Sequence, residues 1–162
     1  MSGQGSDRFE LPVEIADAET IVRVVVAPAH FDKKGRVKAG AFRPKTGESG
    51  ISVIRQLMGD DFCKAKGVAI GHAAPEGYKG LLTLAAAAIR VAGSTVVDSR
   101  DGQYLGHADL DHGFASVRDE PATRHAFEKM TERCQALKDA SRYHADPEPE
   151  VDGWQGPTLK IE

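Results

Sequence analysis

The sequence predicts an α+β domain: a mainly antiparallel sheet built from hairpins, one buried helix and one amphipathic C-terminal helix. Short β-branched runs recur with turn residues between them, as at Thr20–Ala27 and Thr95–Asp98. Phe127, Met130, Cys134 and Leu137 follow one another at three- and four-residue steps, the stripe of a helix lying on a core. Seventeen glycines and eight prolines in 162 residues favour short elements and turns over a helical bundle.

Residues 1–7 are small and polar and read as a disordered tail. One domain is expected over 8–145 and an acidic extended tail over 146–162. Residues 9–15 alternate as a strand would, and Pro12 confines them to an edge. Thr20–Ala27 is the strongest β-branched run, a central strand that Pro28 ends. Asp32, Lys33, Lys34 and Gly35 are turn residues, so 36–42 is expected to return as the second arm of a hairpin. A short strand at 51–54 then leads into a helix over 55–66 that turns Leu57, Met58, Phe62 and Ala65 inward, although Gly59 weakens it by about 1 kcal/mol against Ala. Residues 68–70 read as a brief strand and 71–80 as a loop.

Thr83 as N-cap and Gly93 as stop frame a helix over 84–92 that is apolar on nearly every side and therefore buried. Thr95–Asp98, a turn at 99–102 and residues 104–111 form a second hairpin. Pro121 opens the clearest helix, running to about Tyr143 and packing across the sheet. Trp154 and residues 158–161 are docking elements within the tail.

The charge balance limits the function classes. With 21 Lys and Arg against 24 Asp and Glu, the net charge of −3 argues against wholesale wrapping of nucleic acid, while nucleic acid stays open as a local partner. The longest apolar run, residues 81–92, is broken by Thr83 and Arg90 and falls far short of the ~20 residues of a membrane span, so no membrane partner is expected. The first residues lack a basic start and an apolar stretch, which points to the cytoplasm. Cys63 and Cys134 have neither metal-ligand nor disulfide spacing and read as free thiols.

Charge is unevenly placed. Lys33, Lys34, Arg36, Lys38, Arg43 and Lys45 fall in one stretch without an acid, whereas Asp146, Glu148, Glu150 and Asp152 alternate with prolines and apolar residues. The basic stretch suits phosphate groups: Arg43 offers a bidentate fork, His30 an acid or base, and Phe31 and Phe42 stacking faces. It also suits a solvated arm whose lysines protect a sheet edge. Arg90, alone in an apolar helix, either pairs with an acid or reaches into a site. His72 falls in a loop, and His125 and His144 are expected to face solvent.

The densest group of proton- and metal-handling residues is His107, Asp109, Asp111 and His112. This run resembles the His-x-His-x-Asp-His motif of metallo-β-lactamase-like hydrolases, with Asp109 where the second His belongs. The resemblance implies a Zn, Mn or Fe centre held by His107, Asp109 and Asp111 that activates water. It covers six residues, and no further ligand motif follows in order. On a regular strand His107, Asp109 and Asp111 point one way and Ala108, Leu110 and His112 the other, so the two histidines cannot share a metal. The competing reading is a half-buried strand with a wet polar face.

The succession of His30 to Gly35, Ala41 to Pro44, Ser52 with Val53, Val97 with Asp98, and His107 to Asp109 is similar to that of small bacterial proteins usually left as uncharacterised. The similarity spans about residues 20–112 and implies a compact bacterial domain without an established activity.

Together these features predict a non-catalytic interaction or accessory domain of a cytoplasmic bacterial multi-protein system. A protein partner would be contacted through Lys33, Lys34, Arg36, Lys38, Arg43 and Arg90 and through the acidic tail. The alternative is a small enzyme acting on a phosphate-containing substrate, a nucleotide or nucleic acid, with His30 and His107 as acid and base and Arg43 and Arg90 as anion clamps. Neither reading calls for a cofactor.

Overall fold

The computed structural model describes residues 10–74 and 76–161; the expected tail at 1–7 lies outside them. In chain order the elements are β1 (Thr20–Ala27), β2 (Gly50–Arg55), α1 (Asp60–Gly71), β3 (Gly77–Ala85), α2 (Ala86–Val91), β4 (Thr95–Asp98), β5 (His107–Asp111), α3 (Arg124–Ala140) and β6 (Arg142–Ala145). The strands form one sheet in the order β4-β5-β2-β1-β3-β6, and every neighbouring pair is antiparallel. The fold is α+β, as the sequence predicts.

β1 is apolar along almost its whole length because the sheet is covered on both faces. Ile21 and Val25 join a cluster with Leu84, Leu110 and the α3 residues Met130, Cys134 and Leu137. Val22 and Val24 face the other way, into a cluster with Ile54, Cys63, Leu81 and Trp154 beneath α1. Gly71 lets α1 approach β3, since a Cβ there would lie 2.9 Å from that of Tyr78.

Residues 146–161 carry no helix or strand but are held against α1 and β1. Lys64 makes a buried ion pair with Asp146 at 3.0 Å and donates to the Glu148 and Val151 carbonyls. The Trp154 and Leu159 amides bond to the Asp61 and Asp60 carboxylates, and the Ile161 amide to Thr20 Oγ1 at 2.9 Å. Trp154 and Leu159 are buried.

A second buried ionic group closes the opposite end of the sheet. Arg55, fully buried, grips Glu19 bidentately at 2.6 and 2.7 Å and Asp98 at 2.7 Å, and also reaches the Pro12 and Glu14 carbonyls. Asp98 in turn bonds Arg100 at 2.8 and 2.9 Å. These bonds satisfy the buried charges of Arg55, Glu19 and Asp98, which is the condition for burying them.

Several local expectations are corrected. Residues 36–42 do not pair with β1, which bonds to β3 along its length and to β2 at Ile21 and Val22; they form a loop with one bridge, Phe31 to Val37, and a 3-10 turn at Ala39–Phe42. The helix expected at 55–66 begins only after Gly59, and it absorbs 68–70; Leu57 and Ala65 are exposed, while Cys63 points inward. The apolar run 81–92 is half strand and half helix, so Thr83 pairs with Val22 instead of capping. Residues 10–15 are not a strand, although Leu11 and Ile15 are buried. The loop expected at 71–80 passes into β3 at Gly77, the second hairpin arm starts at His107, and α3 stops at Ala140, leaving Tyr143 to β6.

Candidate functional site

The sheet is incomplete at its centre. β1 and β2 share only two residue pairs, Ile21 with Arg55 and Val22 with Ile54, after which β1 continues with β3 to Ala27 and β2 with β5 to Gly50. The diverging strands leave a cleft of about 360 Å³ lined by Arg23, Arg43, Lys45, Glu48, Gly50 and Ser52, with Ile70 of α1 on one wall.

Arg23 occupies the gap. Its Nε donates to the Ala41 carbonyl at 2.8 Å and its Nη1 to the Ser52 carbonyl at 3.1 Å. Among the described residues no carboxylate lies within ion-pair distance of this guanidinium, and its Nη2 makes no hydrogen bond to protein. Burial lowers its pKa to about 10, so it stays cationic at neutral pH. His30 stands beside it with Nδ1 accepting the Val26 amide proton at 3.1 Å. Burial, reinforced by Arg23 and Lys38, depresses the His30 pKa to about 4, so the ring is neutral.

The β2 backbone completes the cleft. The Arg55 amide bonds Gly106 and the His112 amide bonds the Ser49 carbonyl, so the odd-numbered residues of this stretch face β5. In an antiparallel ladder the N–H and C=O of one residue share an edge. The amides of Gly50 and Ser52 therefore face the side that β1 has left, as the Ser52 carbonyl does in accepting Arg23.

Arg43 is tied to α3: its guanidinium carbon lies 4.5 Å from the Phe127 ring centroid, Nη2 reaches Thr131 Oγ1 at 2.5 Å, and Nη1 is buried without a partner among the described residues. His107 sits behind the cleft, with Nε2 3.1 Å from Ser52 Oγ, Nδ1 2.5 Å from Ser99 Oγ and 3.9 Å from Asp109, and the Tyr104 ring against it. Burial lowers its pKa against the opposing pull of Asp109 and Asp98.

Alternation along β5 separates the two histidines. Ala108 and Leu110 enter the core, His112 is buried between Ser94 Oγ at 2.8 Å and the Phe42 carbonyl at 2.9 Å, and Asp109 is exposed. Asp111 is engaged by the Ser49 hydroxyl and the Gly113 amide. Among the described residues no three His, Cys, Asp or Glu side chains gather as a metal would require.

The four groups named for the enzymatic alternative do not meet. Arg90 is tied to Asp17 at 2.6 Å and to the Ile15 carbonyl, just before β1, whereas His30 caps Val26 near the strand's other end. At ~3.3 Å per residue these positions are about 20 Å apart. Lys33, Lys34, Arg36 and Lys38 are exposed on the loop, where Arg36 pairs with Asp32 at 3.1 Å. A groove of about 540 Å³ between this loop and the end of α3 is lined by Arg36, Val37, Leu82, Lys138 and Tyr143, among others. Cys63 and Cys134 are buried, which raises their thiol pKa values to about 12 and 11. Arg23 is not among the residues the sequence singles out, although it is the one charge in a run otherwise built for burial on both faces.

No family model, curated protein or solved structure matches this chain.

Proposed function

We propose that this chain is a non-catalytic interaction domain, an accessory component of a cytoplasmic bacterial assembly, that receives the acidic surface of a protein partner on its basic loop. The observation that carries this reading is the loop itself. Lys33, Lys34 and Lys38 stand exposed, with no carboxylate within ion-pair distance among the described residues, beside a groove whose rim adds Arg36 and Lys138. Charges so placed steer and select an oppositely charged surface. His30 and His107 are turned to protein partners, which suits support of the fold. Two buried free thiols suit a reducing compartment, and the bacterial setting rests on the resemblance drawn from the sequence.

Reversal of three exposed charges, in Lys33→Glu/Lys34→Glu/Lys38→Glu, tests the loop against immobilised polyglutamate. Retention should weaken by about tenfold at low salt, as expected when rim charges are reversed, and His107→Ala should bind as the wild type does. Equal retention of wild type and triple variant would remove the reading.

A further inference from the structure

The cleft between β1 and β2 is a separate feature from the exposed loop. We infer that it is an oxyanion site, built to seat the phosphate group of a small phosphate monoester between Arg23, Lys45 and the amides of Gly50 and Ser52. This inference does not depend on the acidic-partner reading, because Arg23, Gly50 and Ser52 lie within the sheet and Lys45 lies outside the tip that carries Lys33, Lys34 and Lys38.

Arg23 is its centre. Its side chain is half-buried, and a guanidinium partly withdrawn from water is compensated by an anion or by hydrogen-bond acceptors. Arg55 shows how this chain does so elsewhere, with two carboxylates and two carbonyls around one buried arginine. Arg23, half-buried, has two carbonyls and, among the described residues, no carboxylate within ion-pair distance. Of the five N–H donors of an arginine, those bonds use two. Both hold the planar fork rigid, and Nη2 is left to the cleft.

The backbone provides a second, independent set of donors. Had β1 and β2 remained paired, the Gly50 and Ser52 amides would have bonded to β1. Divergence leaves them on a concave wall beside the guanidinium, and neighbouring amides with a positive side chain are a recurrent oxyanion arrangement. Lys45 is exposed at the rim and adds charge without rigid geometry. His30 stays neutral and does not compete for the anion.

Size and polarity select the class of ligand. A volume of about 360 Å³ exceeds what a free phosphate ion fills and falls at the small end of ligand pockets. Glu48 also lines the cleft, where its carboxylate opposes a second anionic group and accepts from a hydroxyl. These features favour a phosphate attached to a small hydroxylated body over a diphosphate or a dicarboxylate.

Calorimetric titration with inorganic phosphate, glycerol 3-phosphate and acetate tests the site. The intact protein should bind glycerol 3-phosphate saturably, bind inorganic phosphate about tenfold more weakly, and show no saturation with acetate. Arg23→Gln should weaken the phosphate ligands by at least about tenfold, the loss of a charge-assisted bond. Should Arg23→Gln fail to fold, the exposed Lys45→Gln decides, with an expected loss of about threefold. The triple loop variant should bind glycerol 3-phosphate as the wild type does, so failure of the loop reading leaves this result standing. Absence of saturable binding to either phosphate compound, or Arg23→Gln and Lys45→Gln both binding like wild type, overturns the inference. Inorganic phosphate binding as tightly as the ester overturns the assignment to a monoester.

Discussion

At the scale of single residues, two arginines and one histidine show how differently this sheet treats its polar side chains. Arg55 is matched by acids and closes one end of the fold, whereas Arg23 keeps free donors in a gap. His30 is held neutral by burial, reinforced by the charges of Arg23 and Lys38, while its Nδ1 accepts the Val26 amide proton. The consequence for pH has a definite sign. The unfolded imidazole takes up a proton near its ordinary pKa of about 6.5, while the folded one resists until about 4. Stability is therefore full above pH 6.5 and declines as the pH falls from 6.5 to 4. Burial acts in the same direction on His107, His112 and His144, so part of the slope belongs to them. His30→Asn keeps an acceptor for Val26 without a titrating ring. Urea unfolding at pH 7.5, 5.5 and 4.5 should show a shallower loss in this variant than in the wild type; identical slopes would mean that His30 is not a source.

At the scale of elements, β3 and β6 depend on a position without a side chain. A Cβ at Gly80 would run into the His144 carbonyl and lie 3.0 Å from the Ala145 Cα, directly across the ladder. Gly80→Ala should push β6 away and lower stability by roughly 1–3 kcal/mol, the range for overpacking, with amide exchange accelerated in Arg142–Ala145 before β1 is affected. Thr20–Ala27 and Thr95–Asp98 were legible in the sequence because β-branched residues dominate both, Arg23 being the one charge within the first. The strand at Gly77–Ala85 was not: doubly buried, it lacks alternation and merges with the next helix into one apolar run. The supposed hairpin after β1 failed for a different reason. Local turn chemistry at residues 32–35 is real, but it does not reveal that the distant strands β2 and β3 are the partners of β1. The cleft was hidden for the same reason, since it exists only because two long-range partners diverge.

At the scale of the whole molecule, the sheet has two unlike covers. One face is closed by the stripe of α3, which the sequence displays openly at Met130, Cys134 and Leu137. The other combines α1 with residues 146–161, whose acidic and proline-rich composition gave little sign of a core role beyond Trp154 and the stretch at 158–161. Removing residues 152–161 takes the buried Trp154 and Leu159 off Val22, Val24 and Leu81. At about 1.5–3 kcal/mol per large buried side chain, the loss should be about 3–6 kcal/mol. A thermal midpoint lowered by about 10 °C or more is expected; an unchanged midpoint would show that this segment is only loosely applied.

The bond from the Ile161 amide to Thr20 joins residues 141 positions apart. During synthesis β1 emerges well before the residues that carry Trp154 and Leu159, and until they follow only α1 is available to cover that side of it. For that interval Val22 and Val24 belong to an apolar strand face only partly closed and open to mispairing.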